Sequence, residues 1–160
     1  MGVNTVPRGR HCLIPYLIVD DAARALDFYA TVFGGEEIMR MRAGPRIVHA
    51  EVRFGDARVM LAEEHPELGY FGPKARGGPS VSMMVYVPDP DAAFARALEL
   101  GAIPERPVQD QFYGDRSGTL IDPFGHRWTI STRIEDLSPD ELQARMEKLV
   151  ELPEKELAEA

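Results

Sequence analysis

"VDDAARALDFYATVFGGEE" occupies residues 19–37 and frames one helix pattern between two kinds of stop signal. Asp20 and Asp21 are capping residues, and Ala22, Ala25, Leu26, Tyr29 and Phe33 recur at the spacing of a single helix face. Gly34 and Gly35 end the helix. Outward from it, residues 12–19 are apolar and branched and predict a strand, and residues 36–41, Arg46–Phe54 and Ala57–Glu63 predict three more. Gly55-Asp56 makes a two-residue hairpin between the last two. The order is β-α-β-β-β.

That order is written twice. After a loop rich in glycine and proline, residues 69–79, the pattern restarts with a strand over residues 80–87 and a helix over residues 89–100, which Gly101 stops. Strands over residues 106–112, 117–121 and 126–132 follow. The two helices start about 70 residues apart, the mark of a tandem pair of modules. Module 1 runs over residues 11–64 and module 2 over residues 80–133, within one domain of 160 residues. A short amphipathic helix is predicted over residues 138–150, with Ser138 as N-cap, Pro139 in its first turn and Glu141 reaching back to the cap. Beyond Pro153 the chain is expected to fray.

Composition narrows the function. With 44% hydrophobic residues the chain supports a sizeable core, and no apolar run reaches the roughly 18 residues of a membrane span. Residues 1–12 lack the apolar stretch of a secretory signal, so the expectation is a soluble, cytoplasmic protein with no membrane partner. The net charge of −8 repels phosphates and argues against nucleic acid. Much of it lies in residues 135–160, which hold nine acidic and three basic residues. Cys12 is the sole cysteine, which excludes an internal disulfide and a thiolate metal cluster.

The duplicated plan, the helix with Phe28-Tyr29 and the turn in "DPFGHRWTI" (residues 122–130) resemble the vicinal oxygen chelate superfamily. That group includes glyoxalase I, ring-cleaving dioxygenases, fosfomycin-modifying enzymes and bleomycin-resistance proteins. The resemblance implies an α+β fold in which tandem βαβββ modules form curved mixed sheets around a cup, with a C-terminal helix added here. It also implies a homodimer and places a divalent metal, where one is held, on His and Glu side chains of the first and last strands of each module. In this chain those positions fall at Ile14, Leu61, Ser82 and Thr129, with Glu63 reachable by a slip of two residues. Ile and Leu offer no lone pair and hydroxyls are poor donors, so a cup without metal or other cofactor is expected.

Candidate chemistry then rests on the remaining polar residues. In "RIVHAEVRF", Arg46–Phe54, strict alternation sets Arg46, Val48, Ala50, Val52 and Phe54 on one face and His49, Glu51 and Arg53 on the other. His49 and Glu51 are the candidate catalytic pair, a base with its partner, or two polar anchors for a ligand, or simply a wet strand face. Tyr16, Arg53, Ser82, Met84, Tyr86 and Thr129 are candidate ligand-binding residues lining the cup. The loop of residues 110–118 adds Tyr113 and Arg116, and closes over a ligand or forms a dimer interface. His126, facing away from the cup, is expected to hydrogen-bond locally at its turn.

Three functions follow. The first is a small-molecule binding or sequestering protein of the bleomycin-resistance type. The second is a metal-dependent lyase, isomerase or dioxygenase, and the third a metal-free acid–base enzyme using His49 and Glu51.

Overall fold

The computed structural model describes residues 5–7 and 9–150. The elements are β1 (Tyr16–Val19), α1 (Ala22–Phe33), β2 (Glu36–Ala43), β3 (Arg46–Phe54), β4 (Ala57–Glu63), β5 (Ser82–Tyr86), α2 (Pro90–Glu99), β6 (Ile103–Asp110), β7 (Asp115–Ile121), β8 (Arg127–Arg133) and α3 (Pro139–Val150). The fold is the expected α+β arrangement, with two four-stranded sheets ordered β1-β4-β3-β2 and β5-β8-β7-β6. In each, one parallel pair joins an antiparallel meander.

Local chemistry starts and stops the helices. The Asp21 carboxylate accepts from the Arg24 N–H at 3.0 Å, and Gly34, at φ 68°, closes α1 with its N–H on the Ala30 and Tyr29 carbonyls. A Cβ on Gly35 would stand 2.7 Å from Phe54 and from Val52, so only glycine lets β2 leave α1 this close to the sheet. Asp89 caps α2 through the Ala92 N–H, with Pro90 in the first turn. At α3, Ser138 and Glu141 exchange the reciprocal bonds of a capping box.

The two sheets share one core. Leu17, Val19, Ala50, Val52, Val59 and Leu61 of the first sheet and Val85, Leu120, Trp128 and Ile130 of the second are buried in one cluster. Helix α1 bridges them: the Tyr29 ring packs on Phe54 of β3 at 6.4 Å and on Trp128 of β8 at 5.4 Å, and Phe33 lies 4.8 Å from Trp128. Aromatic side chains buried this fully contribute about 1.5–3 kcal/mol each. Both helices therefore lie against the inner faces, and the opposite faces carry the exposed side chains of Tyr16, Met84 and Tyr86.

Asp122 ties this core together. Its Oδ1 accepts from the backbone N–H groups of Phe124 and His126, both at 2.9 Å, which fixes the Asp-Pro-Phe-Gly turn. Its Oδ2 accepts from the Tyr29 hydroxyl at 2.8 Å and the Trp128 indole at 2.9 Å. Burial first, then the Asp122 charge, push the Tyr29 phenol well above its ordinary range, so it remains a donor.

The structure differs from sequence expectation in four places. Strand β1 begins at Tyr16 because Pro15 offers no N–H to a ladder. Strand β6 starts at Ile103 despite Pro104 and Pro107, since it is an edge strand with register shifts. Strand β7 begins at Asp115, after a turn at Gly114 with φ 88°, so only residues 111–114 remain loop. In β3 the register jumps from Met41↔His49 to Arg42↔Ile47, a bulge that buries Ile47 and turns Val48 outward, against strict alternation. Among the described residues no helix is long and apolar enough to cross a membrane. The fraying expected beyond Pro153 lies outside the described residues.

Replacing Asp122 with Asn puts an amide N–H₂ against the indole N–H or against two backbone donors. Asp122→Asn is expected to lose about 2–3 kcal/mol, the cost of orphaned buried donors. Urea unfolding followed by the fluorescence of Trp128 measures it, and a loss under about 1 kcal/mol would remove Asp122 from the centre of the fold.

Candidate functional site

The strand registers decide which side chains share an outer face. In the first sheet Tyr16 pairs with Met60, and Met60 with Glu51, so Tyr16, Met60 and Glu51 look outward together. Leu61 pairs with Leu17 and Ala50 and is fully buried on the inner face. In the second sheet Ser82, Met84 and Tyr86 pair with Arg127, Thr129 and Ser131, and Thr119 pairs with Thr129, which gives the corresponding outer face.

A hydrogen-bond chain runs across the first outer face. The Tyr16 hydroxyl lies 2.8 Å from His49 Nδ1, and His49 Nε2 lies 3.4 Å from Glu51 Oε1. Arg10 also holds Oε1, and Arg58 donates to Oε2 at 2.9 Å. Glu51 is 1% exposed, and burial alone would raise its pKa. The hydrogen bonds from Arg58 and His49, with the charges of Arg10 and Arg58, outweigh burial and hold it below the ordinary carboxylate range. Both carboxylate oxygens and both imidazole nitrogens are engaged, whereas Tyr16 is 49% exposed.

Tyr16 also lines two cavities. One, of about 650 Å³, is bounded by Tyr16, Ile18, Arg46, Val48, His65 and Tyr70 among others. The second, of about 500 Å³, lies between the edges of β1 and β5 and brings Tyr16 and Ser82 together with Phe71, Arg76 and His126.

The second outer face is built of hydroxyls. Thr119 and Thr129 share a hydrogen bond at 3.1 Å, and with Ser82, Glu105, Arg106 and Arg127 they surround a cavity of about 620 Å³. Arg127 is held bidentate by Glu105 at 2.6 and 2.8 Å. At the far end, buried Asp115 accepts from the Tyr86 hydroxyl at 2.8 Å and from Ser131 at 2.9 Å. That hydrogen bond, then burial, raises the Tyr86 phenol pKa.

Of the candidate residues, the structure brings Tyr16, His49 and Glu51 together on one sheet and Ser82, Met84, Tyr86 and Thr129 on the other. Tyr113 joins the second group through its hydroxyl, 3.1 Å from Ser117 Oγ. Arg53, on the face of Glu51, is paired with Glu36 at the rim. Arg116 is a correction. It sits beside buried Gly118 and Leu120 on the inner-face register, its guanidinium clamped by Asp91 at 2.6 and 2.7 Å and by Asp110 at 2.8 Å, which raise its pKa. Its charge is taken up by the start of α2 and by β6. His126 is the other: its backbone serves the turn as expected, but its Nε2 reaches 3.0 Å to the Ile18 carbonyl in the other module.

Sequence reading missed Arg10 and Arg58, and it expects Asp115 in a loop where the structure has the start of β7. Alternation along β4 carries a signal for Arg58, which faces Arg53 across the hairpin. Arg10 lies before the first strand in a segment without periodicity.

The metal positions implied by resemblance also shift. Because Met60 stands opposite Tyr16 as Thr129 stands opposite Met84, the outward position in β4 is Met60 and not Leu61. Glu63 pairs with buried Val19 and so has the inward parity of Leu61, although it borders the cavity of about 650 Å³ at the end of β4. The set becomes Ile14, Met60, Ser82 and Thr129: an alkyl chain, a thioether and two hydroxyls. These donors do not fit a borderline divalent ion.

A family profile for the Glyoxalase/Bleomycin resistance protein/Dioxygenase superfamily matches residues 10–130. The chain belongs to this superfamily. It is 38% identical over 151 residues to uncharacterized proteins of Mycobacterium bovis and of Mycobacterium tuberculosis H37Rv, covering 91% of this chain and 96% and 86% of theirs. Among solved structures it resembles TioX from Micromonospora sp. ML1, with 28% identity, a TM-score of 0.59, and 80% of this chain and 100% of that one covered. It shares its fold with the fosfomycin resistance protein FosX from Mesorhizobium loti, at 19% identity and a TM-score of 0.59 over 84% and 97% of the chains.

Glu51 gives a pH-dependent prediction. With its folded pKa depressed, its contribution is complete above the ordinary carboxylate range and is lost as pH falls through that range toward the folded value. Glu51→Gln should cost about 1–3 kcal/mol at pH 7. The gap between wild type and variant should close on acidification below about pH 4. Denaturant unfolding at both pH values checks it, and a gap independent of pH would contradict an ionised Glu51.

Proposed function

We propose that the chain is a small-molecule binding protein of the glyoxalase and bleomycin-resistance type, whose cup holds its ligand without a metal ion. The observation that carries this is the pair of outer sheet faces, which expose Tyr16, Met84 and Tyr86 beside hydrogen-bonding groups. Such a mixture of apolar rings and a few placed polar atoms suits a small organic ligand. Because the sheets meet through their helices, each outer face is half a cup. A second copy related by a twofold axis sets the first-module face of one subunit against the second-module face of the other and makes two equivalent cups.

The expected assembly is a homodimer with an interface of about 1,600 Å². Sedimentation at micromolar concentration should give a dimer, and Met84→Glu should shift it toward monomer. A wild-type monomer would count against shared cups. For the ligand, mass spectrometry of molecules retained on the purified protein, followed by melting with each, should show a rise in Tm that Tyr16→Ala and Tyr86→Ala diminish. Zn²⁺, Ni²⁺, Mn²⁺ or Fe²⁺ should raise Tm little. One ion per chain surviving dialysis against chelator, in His49→Ala as in wild type, would return the metal-dependent lyase, isomerase or dioxygenase reading.

A second reading, a metal-free acid–base enzyme, is favoured by one observation: the hydrogen-bond chain from Tyr16 through His49 to Glu51. Turnover of a retained ligand, abolished in His49→Gln with binding kept, distinguishes it from sequestration.

A further inference from the structure

We infer that Tyr16 is the group that meets the ligand in the first half-cup, acting as a proton acceptor wired through His49 to Glu51 and taking a weakly acidic O–H, such as that of a phenol or enol. The inference deepens the acid–base reading and rests on the first outer face being a ligand site. It also changes the parts: His49 and Glu51 become positioning residues and Tyr16 the reacting one.

The hydrogen-bond inventory leads there. Glu51, ionised between Arg10 and Arg58, can only accept, so the proton between it and His49 sits on Nε2. The Nδ1 of His49 is then the lone-pair side, and it takes the Tyr16 hydroxyl proton. With its proton committed inward, Tyr16 turns only oxygen lone pairs toward the cavity of about 650 Å³ that it lines. A ligand there must donate. Neither His49, with both nitrogens engaged, nor Glu51, 1% exposed, can receive that proton directly.

The transfer balances. The ligand O–H bond breaks and its proton goes to Tyr16 Oη as the Tyr16 proton passes to Nδ1, leaving a ligand oxyanion and an imidazolium beside Glu51. Ile18, Val48 and Tyr70 offer an apolar wall for a ring, Arg46 brings a positive charge to the same cavity for the oxyanion, and Glu63 and His65 are the other ionisable groups that border it.

Two measurements test this. Nitrogen-15 NMR of the histidine rings, with His49 identified by loss in His49→Gln, should show protonated Nε2 and unprotonated Nδ1, with the Nδ1 signal shifted in Tyr16→Phe. The opposite tautomer overturns the wiring, and this arm needs no ligand. Titrating 4-nitrophenol into the protein across pH should give a bound probe about tenfold more acidic than the free one, read by its phenolate absorbance. In Tyr16→Phe the probe should bind without that shift. A bound probe as acidic in Tyr16→Phe as in wild type overturns the role of Tyr16 and leaves the binding reading intact. A wild type that takes up no 4-nitrophenol overturns the ligand class. One that retains no small molecule in any screen removes the binding reading itself, whatever the tautomer.

Discussion

Four donors converge on the carboxylate of Asp122, and much of the architecture depends on that convergence. Two come from the backbone of its own turn, one from Trp128 on β8 and one from Tyr29 on α1. A buried carboxylate without partners is costly, so the four must be present together. They arrive together only if the first-module helix lies against the second-module sheet. His126, bonded to the Ile18 carbonyl, adds a second tie between the modules. The helix faces are thus turned inward and the opposite faces outward, which leaves two outward sheet faces on one chain.

Those faces differ although their backbones repeat. The register equivalent of Glu51 in the second module is Thr119, since each lies opposite the outward residue of the last strand. In the first module that position carries a buried charge, compensated by Arg10 and Arg58 and linked to a tyrosine. In the second it carries a hydroxyl bonded to another hydroxyl. A duplicated scaffold therefore presents one wall with a buried carboxylate linked to a tyrosine and another whose equivalent position is a hydroxyl pair beside the Glu105–Arg127 ion pair. In the shared cup proposed above, a ligand meets different chemistry on its two sides.

Sequence reading succeeded where the physical signal was local and failed where a single backbone irregularity changed parity. Capping aspartates and terminating glycines located α1 and α2 because those groups act within a few residues. Alternation placed Tyr16, Ser82, Met84, Tyr86 and Thr129 outward. The same rule misplaced Val48 because one bulged residue reverses the faces on either side of it. Arg116, expected in a loop over the cup, lies in β7, where strand parity turns it to the inner face. The resemblance implies Leu61 at a cup-facing position, yet its register turns it inward, since a shift of one residue crosses the sheet.

The sequence by itself determined the two βαβββ modules, their boundaries to within a few residues and the superfamily, because caps, turns and periodicity are written in neighbouring residues. Tertiary structure alone decided which polar residues act together. Arg10, Tyr16, His49, Glu51 and Arg58 come from four separate stretches, and their protonation logic exists only once the strands bring them within hydrogen-bonding distance. It also decided that His126 joins modules and that Arg116 braces α2. The physical reason is range: secondary structure answers to contacts a few residues long, whereas a site answers to distances that only register and packing set.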